Sequence, residues 1–407
     1  MRPVDMIGPL LPDEVTAMAR RPTRPDLTTP TRRTMLAGLA AAGLSLPAAA
    51  ALPPPDGDWT PFDDSDGLIR FNGAVNGHAI DLTLDSGAGR VVIDQAFAEK
   101  IGLGSVDQSG VLHGLSTSRP GGLSEPLTID LGAGDLRLPN AVIADLSAVK
   151  AGGYDAPVLI GRDIFELTAV DIDFVGKRIA FREPDAFDTR AFRRVRLRGR
   201  RDMRQIEVAI EGRRPAWAIV DLGSGSPLAL SKAYATRIGL FDGRPTSAWL
   251  SSGIEGIVTY EVGRASLVTV AGLPVRDVPF DAYPVWNRAA TAEVNIGYPL
   301  MQRFGRVIMD YGSDSLFVTR TPPPPTPFSK NRIGLGLLPL DSGYRVIFVA
   351  PNSPGDRGGW KAGDVIAAIN GKPVLTAEER AALGAAPRVT YTMADGSVRT
   401  LAPADYY

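Results

Sequence analysis

The sequence predicts a mostly β protein, built as two related lobes about an approximate two-fold axis and followed by a small separate module. Three observations carry this. A segment holding an Asp-x-Gly tripeptide occurs twice, 136 positions apart. The 407 residues include 44 glycines and 34 prolines, which cut the chain into short apolar runs suited to strands and turns. Four consecutive prolines, 322–325, divide the repeated region from the C-terminal module.

The first 51 residues read as an extension with an export signal. Thr31-Arg32-Arg33-Thr34 leads into a short apolar stretch, Ala37 to Leu46, then Pro47 and the small residues Ala48 to Ala51. A twin-arginine pair, a brief apolar region and a small-residue cleavage site describe a secretory leader of the Tat kind, and so a periplasmic or otherwise exported protein. The alternative is an uncleaved N-terminal membrane anchor facing the periplasm. The stretch is short and alanine-rich for a span, so no stable membrane span is expected after cleavage. Met18 is a candidate start, which would place Ala19-Arg20-Arg21 at the head of the leader.

Residues 65–184 form the first predicted lobe and 195–320 the second. In the first, Ile80-Asp81-Leu82-Thr83-Leu84 runs into Asp85-Ser86-Gly87-Ala88-Gly89, then Val91-Val92-Ile93 and a helical stretch ending Ile101-Gly102-Leu103. In the second, Trp217-Ala218-Ile219-Val220 runs into Asp221-Leu222-Gly223-Ser224-Gly225, then Leu228-Ala229-Leu230 and a helical stretch ending Ile238-Gly239-Leu240. Val158-Leu159-Ile160-Gly161 and Val294-Asn295-Ile296-Gly297 keep the same 136-residue offset, and Asp171-Ile172-Asp173 answers Val307-Ile308-Met309-Asp310. Landmarks that hold one spacing over two hundred residues mark an internal duplication.

Between the lobes, 190–204 holds eight arginines, with Arg194-Val195-Arg196-Leu197-Arg198 alternating as a half-buried strand does. A solvated strand face and a basic surface for an anionic partner both fit. Residues 321–330 form a proline-rich linker, whose polyproline geometry would hold the next domain about 20 Å away at ~3.1 Å per residue.

Composition removes several chemistries. There is no cysteine, so no thiol nucleophile, disulfide or cysteine-ligated metal site exists. His78 and His113 are the only histidines, which leaves serine–histidine and metal-hydroxide hydrolysis poorly supported. A net charge of −1 gives no general attraction to nucleic acid, and no cofactor or metal is expected.

Paired acids offer another route. Two carboxyl groups brought face to face, roughly 3 Å apart, cannot both ionise and share one proton. The ionised member can take a proton from a water while the protonated member stabilises the developing oxyanion. Gly87 and Gly223 clear space where the loop turns, Ser86 offers a hydroxyl to lock its loop, and Ser224 is placed to steady the Asp221 carboxylate.

With these residues in place, 65–320 resembles the retropepsin-like and pepsin-like aspartic proteases, whose acidic loop reads Asp-Thr/Ser-Gly followed by Ala or Ser. The resemblance implies two pseudo-symmetric acid-protease-type β lobes, Asp85 and Asp221 as the catalytic pair, and a protein or peptide substrate. Leu222 departs from the pattern, because it stands where the family has a hydroxyl. Two glycine-flanked segments, 110–114 and 251–256, are candidate flap hairpins, with plain surface loops as the other reading. A glycosidase with separated carboxylates would want aromatic platforms, and Trp217 alone lies near an acid.

Residues 331–407 resemble a bacterial PDZ domain, through Lys361-Ala362-Gly363-Asp364-Val365-Ile366 and Ile369-Asn370-Gly371-Lys372-Pro373-Val374. The resemblance implies that the backbone around Gly334, Leu335 and Gly336 receives a C-terminal peptide by strand addition, with 376–386 as the groove helix. The sequence thus points to an exported aspartic endopeptidase whose PDZ domain recruits substrate or partner. The alternative is a non-catalytic peptide-binding scaffold with a degenerate second lobe.

Overall fold

The computed structural model describes residues 59–407 apart from 115, 133, 152–153, 200–202, 254–255 and 288–291. The expected export signal lies outside the described residues, as do Ile254 and Glu255 of the second candidate hairpin. The molecule is mostly β, with a PDZ domain after two sheet-built halves.

The duplication is visible strand by strand. In the first half, His78–Leu84 pairs antiparallel with Arg70–Val75 and parallel with Val158–Ile160, which runs antiparallel to Val92–Asp94, itself parallel to Val142–Ala144. In the second, Ala216–Asp221 takes the place of His78–Leu84, flanked by Gln205–Ile210 and Val294–Gly297, then Leu228–Ser231 and Leu273–Tyr283, with the same alternation of directions. Near-continuous apolar runs such as Leu82 to Leu84 and Ala218 to Val220 suit strands covered on both faces.

A six-stranded sheet joins the halves. Ala169–Asp173 and Arg178–Arg182 lie in it beside Arg306–Asp310 and Ser315–Thr319. At its centre Asp171 is opposite Ile308 and Ile172 opposite Val307. Ile172 and Ile308 stand 136 apart, as do Asp171 and Val307, so the pair is self-complementary under the repeat and the pseudo-two-fold axis passes between these strands. Fully buried Asp171 accepts from Arg182 of its own half (2.7 Å) and from Arg306 of the other (2.8 and 2.7 Å), which ties the halves together. One apolar cluster continues through both sheets and this junction, from Leu84 and Ile160 to Val220, Leu222 and Ile296.

The arginine-rich segment forms the strand Phe192–Arg196 at the edge of the six-stranded sheet. Several of its arginines make intramolecular contacts. Arg194 donates to Ser315 Oγ (2.7 Å) and Ser313 O (3.0 Å), Arg193 donates to Ala271 O (2.9 Å), and Arg198 lies over the Trp217 ring.

The proline-rich linker does not act as a free-standing spacer. Phe328 is buried in the main core with Arg303 stacked on it, which draws the chain along the second half. The PDZ domain, a five-stranded sheet with its own core around Tyr344, Val346, Ile366 and Tyr391, rests against Ser247–Gly253. Ser247 Oγ donates to Pro351 O (2.7 Å), and Trp249 meets Phe348 edge to face at 5.7 Å. Apolar contact outweighs the stiffness of four prolines. Among the described residues, no helix is long and apolar enough to cross a membrane.

Candidate active site

Each acid stands where a central strand ends and its neighbour gives way to glycine. Asp85 N donates to Ile160 O (3.0 Å), and Asp221 is in register with Gly297. The chain then folds back: Ala88 N donates to Asp85 O (3.1 Å) and Ser224 N to Asp221 O (3.3 Å). Inside these turns Asp85 Oδ1 accepts from the N–H of Gly87 (2.9 Å) and Ala88 (3.0 Å), and Asp221 Oδ1 accepts from the N–H of Gly223 (3.0 Å).

The two-fold axis turns these loops into one site. A Cβ added at Gly87 would fall on the Asp221 carboxyl group, and one at Gly223 on that of Asp85. Each glycine is therefore the floor beneath the opposite acid, and no other residue fits there. The two carboxyl groups are close enough that each bears on the titration of the other.

Desolvation, followed by the charge and hydrogen bond of Asp221, pushes Asp85 well above the usual carboxylate range. Asp221 is also raised by desolvation, but the Asn295 amide, the Asp85 hydrogen bond and the backbone of Gly223 and Ser224 pull it back. Both acids are held above the usual range, and the pair titrates as a unit.

Ser86 makes the lock between the halves unaided. Its hydroxyl donates to Val220 O (2.9 Å) and accepts from Leu222 N (3.0 Å), bridging the backbone on both sides of Asp221. Leu222 offers no hydroxyl in return; its side chain is 0% exposed within the shared core. Ser224 acts on Asp221 through its backbone. Its backbone N–H favours the Asp221 carboxylate, whereas its hydroxyl accepts from Ser226 N (3.3 Å).

Asn295 is a site residue that the sequence pattern did not single out. Its Nδ2 donates to Asp221 Oδ2 at 2.7 Å. The position was legible as one of the repeat's anchors, and the signal was its mismatch with Leu159.

Both candidate flap segments adjoin antiparallel strand pairs. Ser105–His113 pairs with Ser118–Ser124, and Ser247–Gly253 with Gly256–Val270. Asn287, from the second half, donates to Gly114 O and Thr117 O at the first hairpin's tip (both 2.9 Å) and to Ser118 Oγ (3.2 Å). His113 shares a 2.7 Å hydrogen bond with the same Ser118.

In the PDZ domain, Leu335 and Gly336 begin the strand Leu335–Pro339 at the sheet edge, opposite Val349 and Phe348. The Gly334 N–H is already committed to Asn331 Oδ1 (2.9 Å). The helix Ala377–Ala382 lies within the predicted groove segment, opened by a capping box of Thr376 and Glu379. Among the described residues, no group of three or more acids and histidines is arranged to hold a metal.

Family models match two parts of the chain. Residues 71–164 match the family model described as aspartyl protease, and residues 346–390 match that of the PDZ domain. Among solved structures, the basic 7S globulin from soybean is similar at 9% identity over 65% of this chain and 94% of that one, with a TM-score of 0.36. A retropepsin-like aspartic protease from Rickettsia conorii is similar at 19% identity over 31% of this chain and 93% of that one, with a TM-score of 0.24. None of the curated proteins matches the chain.

Proposed function

We propose that this protein is an aspartic endopeptidase in which Asp85 and Asp221 together activate a water against a peptide bond. The observation that carries the reading is the reciprocal placement of the two acids, each over the other loop's glycine and each within reach of its partner's charge. As the water oxygen bonds to the amide carbon, the ionised acid takes its proton and the protonated acid gives its own to the carbonyl oxygen. When the C–N bond breaks, the first acid passes its proton to the leaving nitrogen and the second recovers one from a hydroxyl of the diol, whose oxygen re-forms the C=O bond.

A binding scaffold has no use for two carboxyl groups desolvated against each other, an arrangement that costs stability. The PDZ edge strand and the hairpin Ser247–Gly253, against which the domain rests, support recruitment of a protein partner or of a C-terminal peptide to the same molecule. The twin-arginine leader supports action in the periplasm.

The test is mass-spectrometric mapping of peptide-library cleavage by the purified chain from pH 4 to 8, beside Asp85→Asn and Asp221→Asn. Each variant should lose at least about 10³-fold in kcat/KM while remaining folded. Cleavage that survives in either one removes the shared-dyad mechanism.

A further inference from the structure

We propose that Asn295 is a positioning residue that makes Asp221 the ionised member of the pair and leaves the proton to Asp85. This rests on the reading of the two acids as a working dyad. Asn295 lies opposite Ile219 in a parallel strand pair, and residues 219 and 221 share a face of their strand, so the amide is carried to the same side as the Asp221 carboxyl. Its Nδ2 donates to Asp221 Oδ2 at 2.7 Å, the oxygen that Gly223 does not hold.

An N–H donor at that distance favours carboxylate over carboxylic acid. The opposite amide orientation would set two acceptors against each other unless Asp221 carried the proton. Among the described residues of its own half, no side-chain amide donates to Asp85: the equivalent residue is Leu159, which packs with Val92, Leu112 and Leu146. Each acid also accepts N–H groups of its own turn, Gly87 and Ala88 at Asp85 and Gly223 at Asp221, so the Asn295 amide is the side-chain donor that sets the two apart.

The fold bears a cost for it. Asn295 is 1% exposed, and its Oδ1 has no hydrogen-bond partner among the described residues. A buried amide oxygen left bare is destabilising, and Leu159 demonstrates that an apolar residue satisfies the same strand geometry. Among the described residues, Tyr311 also bears on Asp221, and its phenol lies in the fields of Arg204 and Arg162.

The experiment is a carboxyl ¹³C-NMR titration of the dyad in the full chain and in Asn295→Leu, with kcat/KM measured over the same pH range. Asn295→Ser, which keeps a donor, is the second variant in case the first folds poorly. Asn295→Leu should raise the lower titration step of the pair by about one to two pH units and carry the acid limb of kcat/KM with it. Asn295→Ser should fall between. A lower step left unchanged in both variants overturns the assignment. If no form cleaves peptide but the step still rises, the role of Asn295 stands and the protease reading falls.

Discussion

The two acid loops share a backbone and divide the labour. The loop of Asp85 contributes mechanics, because Ser86 holds the backbone on either side of Asp221 through its one hydroxyl. The loop of Asp221 contributes no such reach, since Leu222 is sunk in the core. Its half instead supplies an amide to its own acid. A duplicated site therefore need not keep both copies of each device. One lock can hold two loops when it grips the far side of the axis, and a symmetric pair of acids acquires unlike roles once a single neighbour differs.

The largest effect expected in the loops is that of Ser86→Ala. It strips a buried acceptor from Leu222 N and a buried donor from Val220 O without removing any other contact of the dyad. Two orphaned backbone groups should cost about 2–4 kcal/mol in urea unfolding, and the loss should be felt at Asp221, whose two chain neighbours are the ones released. A cost below ~1 kcal/mol would mean that the lock is redundant and that the halves are held by the six-stranded sheet and by Asp171 with Arg306.

Leu222→Thr sharpens the comparison from the other side by restoring the hydroxyl that the repeat lacks. If the second half of the lock were merely absent, the variant would be neutral or stabilising. Because Leu222 is wholly enclosed, exchanging its apolar bulk for a shorter polar side chain should instead cost about 1–3 kcal/mol by thermal or urea unfolding. An increase in stability would identify Leu222 as a lost lock rather than as a core residue.

Much of this division was legible in the chain. The 136-residue offset placed both acids, both supporting Ile-Gly strands and the paired strands of the central sheet, because a duplicated backbone must duplicate its apolar anchors. Residues whose chemistry the repeat does not keep were harder to place. Asn295 stands where the first half has Leu159, and Asn287 reaches the hairpin of the other half, where sequence distance says nothing of proximity. Four prolines signalled stiffness but could not reveal that Phe328 finds a core site just beyond them. The arginine run gave the correct strand, yet its use within the fold depends on acceptors such as Ala271 O and Ser315 that pairing alone brings near.

The smallest effect separates a polar group that serves the dyad from one that does not. Thr83 and Leu159 pair in the first half as Ile219 and Asn295 do in the second, so each half buries one polar side chain beside its acid strand, on opposite members of the pair. Thr83 is 1% exposed and its hydroxyl has no partner among the described residues, much like Asn295 Oδ1. Thr83→Val should therefore stabilise the fold by about 1 kcal/mol through loss of an unsatisfied hydroxyl, and leave both titration steps of the dyad where they were. Asn295→Leu should also relieve an orphaned atom, but at the expense of the lower step. If Thr83→Val moved that step too, the hydroxyl would be acting on Asp85, and the contrast between a mechanical and an electrical half would give way to a pair polarised from both sides.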